Sequence, residues 1–271
     1  MGTSSSFGGP KGKSPLLPPW ATSPDNSNND NDQDDQESSN DPTENAVSGD
    51  YSGAKRSLSR FSNDQPGYTV KNASRSYVKS LGGAKKASLS SSSGKRAVSS
   101  FGGFLGNVAR GGIEKTLTDL GLQDLIGKSA NVIFASIADA IAPIGSTNEE
   151  ADARQAIIDT LDKLYDKYDL DDNNIQKLDS LNESDIGDAL LDSIKAYIYE
   201  RWLQELSLCI EKNSLTPGEA LKKESDMKEH IISSVEYDFE DRNLLNMDFT
   251  KGEGKDLIEN IFQEAYKTLE S

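Results

Sequence analysis

One cysteine, Cys209, and one histidine, His230, are all the soft metal ligands the chain carries. A lone thiol excludes an intramolecular disulfide framework and a cysteine-based zinc site, and it suits a reducing compartment. Long apolar runs are also missing: the longest, Ala130 to Ile144, is interrupted by Asp139 and is too short to span a bilayer. No apolar h-region follows Met1, so the sequence predicts no secretory leader and no membrane span, and therefore a cytoplasmic protein. There is no glycine-rich loop followed by Lys-Ser/Thr to cradle a phosphate, no G-x-S-x-G elbow and no H-E-x-x-H pair. These gaps predict a protein that is not an enzyme and has no cofactor and no resident metal. Hydrophobic residues make up only 34% of the chain, and the shortfall lies in its N-terminal third. Such a stretch cannot bury enough apolar surface to offset the entropy of ordering it.

Charge divides the chain more sharply than its net value of −16 suggests. Residues 1–20 carry two bases and no acid, residues 21–50 nine acids and no base, residues 51–110 eleven bases against Asp64, and residues 111–271 sixteen bases against 35 acids. Composition follows the same divisions. Residues 1–20 form a Pro/Gly-rich tail, 21–50 an acidic spacer without aromatic residues, 51–110 a basic Ser/Gly-rich segment, and 111–271 an acidic domain with helical periodicity. The predicted fold class is all-α: a C-terminal helical domain preceded by a long, largely disordered N-terminal arm.

Within that frame, Val70, Ala73, Tyr77, Val78 and Leu81 mark one face of a short helix that Gly82-Gly83 would end. Glycines at 94, 102, 103, 106, 111 and 112 read as loosening the rest of the basic segment, with Phe101 to Val108 as a possible start of the folded domain. Helices follow at 113–120, 122–142, from Thr147 to about Tyr168, at 175–181, 182–211, from Thr216 to Val235, and at the C-terminus after a loop near 242–254. Thr147 with Glu150 is a capping-box pair, and Thr216-Pro217-Gly218-Glu219 is another helix start. No alternating strand pattern and no internal repeat is present.

Few residues carry chemistry. His230 reads as an ordinary surface histidine and Cys209 as a small apolar residue on a helical stripe. Asp169, Asp171 and Asn173 open like an EF-hand loop, but Asn174 stands in place of the glycine and Ser180 in place of the bidentate glutamate, which argues against calcium. The basic stretch 51–110, with Tyr51, Phe61, Tyr68, Tyr77, Phe101 and Phe104 interleaved, has the composition of a single-stranded nucleic-acid contact. Opposite charge is equally available within the chain. Met1-Gly2-Thr3-Ser4-Ser5-Ser6 fits the N-myristoylation pattern and, once methionine is removed, offers a small unhindered amine on Gly2. Behind it, Pro15, Leu16, Leu17, Pro18, Pro19 and Trp20 form an extended strip with an apolar end, suited to a partner's groove.

The start of the chain also resembles a known family. Met1-Gly2-Thr3-Ser4, Gly8-Gly9-Pro10, Ser14-Pro15-Leu16 and Pro18-Pro19-Trp20 are similar to the N-terminus of QatB, the non-enzymatic component of a bacterial anti-phage defence system. Tyr77-Val78 before Gly82-Gly83, the Gly102 to Gly111 stretch, Leu120-Gly121-Leu122 and Gly145-Ser146-Thr147 resemble it further in. The resemblance implies an antiviral adaptor that works with an ATPase, a TatD-like nuclease and a QueC-like enzyme, QatC. It implies that the tail enters the QatC active site and that Gly2 accepts a deazaguanine. The partner-binding residues it implies are Gly2, Thr3, Ser4, Gly8, Gly9, Pro10, Pro15, Leu16, Leu17, Pro18, Pro19 and Trp20. Other readings of the residues are a nucleic-acid-binding accessory protein acting through 51–110 and an N-myristoylated adaptor.

Overall fold

A computed structural model of the chain describes residues 51–171, 174–213, 216–239 and 242–271. The described residues are all-α, with ten helices and three 3-10 turns. The helices are α1 (Ser52–Ser62), α2 (Val70–Ser80), α3 (Ala84–Leu89), α4 (Ser92–Gly111), α5 (Ile113–Asp119), α6 (Ala130–Ile141), α7 (Asn148–Lys167), α8 (Glu183–Asn213), α9 (Pro217–Ser234) and α10 (Gly252–Glu270). The 3-10 turns are Gln123–Leu125, Ile175–Ser180 and Leu244–Asn246.

α8 organises the packing. At 31 residues it is about 46 Å long, and it contacts α1, α4, α7, α9 and α10. Ile186, Leu190, Ile194, Tyr197, Ile198, Trp202 and Leu206, read from the sequence as its apolar stripe, are all buried. So are Leu257, Ile258, Ile261, Phe262, Ala265, Tyr266 and Leu269 of α10. The two capping signals work as anticipated. Thr147 Oγ1 accepts from Glu150 N at 3.2 Å while Glu150 Oε2 accepts from Thr147 N at 3.1 Å, and Thr216 Oγ1 accepts from Glu219 N at 3.2 Å.

The basic segment differs from its sequence reading. Residues 51–110, expected to hold one short helix, form α1 through most of α4, and Leu58, Phe61, Tyr77, Val78, Phe101, Phe104 and Leu105 join the same hydrophobic cluster as α8 and α10. Residue 111 is therefore the end of a helix rather than the edge of a domain. The glycines of α4 act as close-approach points: a Cβ at Gly94 would lie 2.7 Å from the Tyr197 ring, and one at Gly102 would lie 2.8 Å from Phe249 and 3.0 Å from Leu190.

One helix boundary also moves. The helix expected over 122–142 is split, because Gly127 adopts φ +83° and α6 begins only at Ala130. Ile126, placed on its buried face by periodicity, is exposed in that break, and Leu221 of α9 also points outward.

Candidate functional site

The tail residues singled out above, from Gly2 to Trp20, lie outside the described residues. The described residues begin at Tyr51. Tyr51, the N-cap of α1, is half-buried, and its phenol is pushed up by burial and then by the charge of Glu205 in α8. α1 and α2 run antiparallel, with Ser57 Oγ donating to the Asn72 carbonyl at 3.3 Å and Arg60 donating to the Tyr68 hydroxyl. The pairing sets Tyr51 within electrostatic reach of Tyr77 at the C-terminal half of α2.

Near Tyr51 lies a polar cluster that periodicity did not reveal. Ser91 Oγ donates to the Ala87 carbonyl at 2.9 Å, accepts from Arg201 Nη1 at 3.2 Å, and is 3.1 Å from the Tyr266 hydroxyl. A serine hydroxyl has one proton and two lone pairs, so once its proton is on Ala87 it accepts from both Arg201 and Tyr266. Arg201 Nε reaches Glu205 Oε1 at 3.4 Å. Burial pushes the phenols of Tyr77 and Tyr266 up, which keeps both neutral around the guanidinium. With its hydroxyl saturated and no basic nitrogen at it, Ser91 is a structural hinge pin between α3, α8 and α10 and is not set up as a nucleophile.

The other residues with chemical potential are tied down. His230 is half-buried between Ser74 Oγ (3.0 Å from Nε2) and Ser234 Oγ (3.2 Å from Nδ1), and burial followed by Lys71 lowers its pKa. It links α9 to α2. Cys209 Sγ donates to the Lys55 carbonyl at 3.3 Å, and burial raises its thiol pKa. In the EF-hand-like turn, Asp169 and Asp171 are exposed, Asn173 lies outside the described residues, and Lys177 Nζ sits 2.6 Å from the Asp169 carbonyl. The same ammonium lies 3.4 Å from the Asp169 carboxylate. Among the described residues no group of three or more His, Cys, Asp or Glu could hold a metal, and no helix is long and apolar enough to cross a membrane.

Among the clefts on the described residues are two that border α8 and α4. One, of about 820 Å³, lies between the start of α8 and the loop before α10, with Glu183, Asp188 and Asp238 at its rim and Phe239 and Leu244 beneath. Arg242 also lines it, Glu183 accepts from Leu244 N and Asp188 pairs with Lys167, so the rim carries both signs over a partly apolar floor. The other, of about 400 Å³, lies where α4, α7 and the segment after α6 meet, with Arg96, Glu150 and the exposed Ile144 along its edges. The aromatic rings that a nucleic-acid contact needs are committed elsewhere. Phe61, Tyr77, Phe101 and Phe104 are buried, and Tyr68 is covered by the Arg60 guanidinium 4.8 Å from its centroid.

Residues 82–269 match the family described as Qat anti-phage system associated protein QatB. The chain belongs to the QatB family. No curated protein and no solved structure matches it. The QatB match runs from the turn after α2 to the last turn of α10 and takes in Ser91, Arg201, Tyr266 and both clefts. α1, α2 and the N-terminal tail lie outside it. As a QatB family member the chain is a component of an anti-phage defence system.

Proposed function

We propose that this protein is the non-enzymatic adaptor of its Qat system: its helical body docks a QueC-like enzyme, QatC, and its tail presents Gly2 for conjugation to a deazaguanine. The observation that carries this reading is the QatB family match over residues 82–269. Two features of the chain support the finer statement. The tail motif from Gly2 to Trp20 has the small, extended composition needed to thread a narrow site, with Leu16, Leu17 and Trp20 as apolar anchors. The cleft beside α8, of about 820 Å³, is large enough to hold a segment of a partner.

The chemistry asks little of the adaptor. An α-amine has a pKa of about 8, so a useful fraction is uncharged near neutral pH and free to attack a deazaguanine carboxyl that the partner has activated with ATP, forming an amide as the amine loses a proton and AMP leaves. Holding it in the partner's site supplies the proximity that the reaction needs. The system's ATPase and TatD-like nuclease are further partners in this reading, and the reading invokes neither a membrane nor a cofactor of the adaptor's own.

Intact-mass analysis of the chain produced with and without its QatC-like partner tests the proposal. The expected result is a mass gain on the N-terminal peptide only when the partner is present. It should be absent in Gly2→Ala although that variant still copurifies with the partner, and protection against phage should be lost with it. An unmodified tail, or full protection by Gly2→Ala, overturns the proposal. A myristoyl mass on Gly2 would identify a lipidated adaptor instead.

A further inference from the structure

The bases of α2 and α3 stand where helix electrostatics disfavours them. The N-terminal end of a helix is its positive pole, and α5, α7, α8, α9 and α10 each place an acid in the first turn. α2 instead carries Lys71 there and α3 carries Lys85 and Lys86, with no acid in either first turn. No acid occurs anywhere between Asp64 and Glu114. Two neighbouring helices that break one local rule with the same sign, against their own stability, mark the charge as serving something outside the helix. Lys71, Arg75 and Lys79, spaced by four, share an exposed edge of α2 about 12 Å long. After the turn at Gly82-Gly83 come Lys85 and Lys86, both exposed. The stem of Lys86 lies over Gly82, its Cδ 2.6 Å from where a Cβ would stand, which holds this base at the turn. Glu270 of α10 reaches the same corner, but its Oε2 accepts from Ala84 N at 3.0 Å and caps α3.

We propose that this corner, formed by Lys71, Arg75, Lys79, Lys85 and Lys86, binds the phosphate backbone of a nucleic-acid duplex. Bases at regular spacing with polar neighbours such as Asn72 and Ser76 are the residue types that contact phosphate oxygens without reading sequence. Single strands are disfavoured because the rings that would stack on their bases are buried, whereas a duplex backbone is bound without stacking. An acidic protein is disfavoured because α1 and α2 expose no large apolar side chain and α3 exposes only Leu89, so the apolar anchors of a protein interface are lacking. Residues 111–271, with sixteen bases against 35 acids, repel phosphates and turn a duplex toward the first helices. α2 precedes the family match, which begins at residue 82, so this edge is independent of the adaptor reading.

The test is fluorescence anisotropy of the full chain with a labelled duplex of random sequence and about 20 base pairs. With four bases on phosphates, log affinity should fall against log salt with a slope of about −3.6, a drop of about 150-fold from 50 to 200 mM. Lys71→Gln with Arg75→Gln and Lys79→Gln should weaken binding at about 50 mM salt at least tenfold and flatten the slope to about −1. Lys115→Gln with Lys128→Gln and Lys255→Gln makes the same change in net charge at exposed positions elsewhere, and should leave affinity within about threefold. Polyglutamate, whose charges are spaced about twice as widely as those of a duplex, should compete at least tenfold more weakly. Absence of binding overturns the proposal, as does equal weakening by the two triple variants, which would make net charge the cause. Equal competition by polyglutamate overturns it in favour of an acidic protein partner.

Discussion

Ser93 N in the first turn of α4 donates to Glu149 Oε1 in α7 at 2.8 Å, across 56 residues of chain. The same oxygen accepts from the Tyr197 hydroxyl of α8 at 3.2 Å, so one carboxylate ties three helices together. α4 has no side-chain cap of its own, and two neighbours share the arrangement: Ala84 N of α3 donates to Glu270 Oε2 at 3.0 Å, and Ile113 N of α5 to Asp179 Oδ1 at 2.7 Å. The acidic half of the protein therefore supplies the caps for helices whose own N-cap positions are Gly83, Ser91 and Gly112. Carboxylates there also complement the helix dipoles.

Replacing Glu149 by alanine removes the α4 cap and the Tyr197 partner together. The expected cost is about 1–2 kcal/mol, in the range of lost N-caps, read as a lower denaturant midpoint at unchanged slope. Glu149→Gln should lose less, because the amide oxygen still accepts. An unchanged midpoint in Glu149→Ala would show that the remote cap contributes nothing.

These caps also explain what the sequence concealed. α7, α8, α9 and α10 were legible because their apolar stripes are long and, for α7 and α9, their caps are local: Thr147 with Glu150, and Thr216 before Pro217. α1, α3 and the first half of α4 were not, since their stripes are short or built from serine, alanine and glycine, and the caps of α3 and α4 come from residues far along the chain. α2 was found through its face Ala73, Tyr77 and Val78, yet its packing partners were not. Of the candidate site, the tail motif was readable as composition, whereas the Ser91–Arg201–Tyr266 cluster arises only when α3, α8 and α10 meet. No local pattern could signal it.

The glycines of α4 give a paired prediction. At Gly94 an added Cβ would stand 2.7 Å from the ring of Tyr197, which is fully buried, whereas at Gly103 nothing lies within 4 Å. Gly103→Ala should stabilise the protein by about 0.5–1 kcal/mol through helix propensity alone. Gly94→Ala has the same propensity gain, but overpacking costs about 1–3 kcal/mol, so it should be destabilising on balance. Thermal melts of the two variants should move in opposite directions. A rise in both would show that α4 can shift away from α8, and that the glycine is not there for contact.

Asp152 of α7 gives the last prediction, and it concerns pH. Its carboxyl is pushed up to about 7, first by burial and then by the charges of Glu205, Glu200 and Glu149, against the lowering pull of Arg201. With the Gln204 amide nitrogen turned toward it, Asp152 accepts at 3.1 and 3.0 Å on its two oxygens, which does not offset the loss of water. In the unfolded chain the group titrates near 4. Between about pH 4 and pH 7 the folded state thus holds a proton that the unfolded state has released, and the stability this group confers falls as pH rises through that window. Its contribution is flat below and above it. Asp152→Asn keeps the volume and removes the titration, so its unfolding free energy from denaturant melts, relative to the native chain, should improve between pH 5 and pH 7, by at most about 1.4 kcal/mol for each pH unit. Parallel stability profiles for the two proteins over that range would mean that Asp152 is ionised in the folded state throughout, with Arg201 outweighing the carboxylates around it.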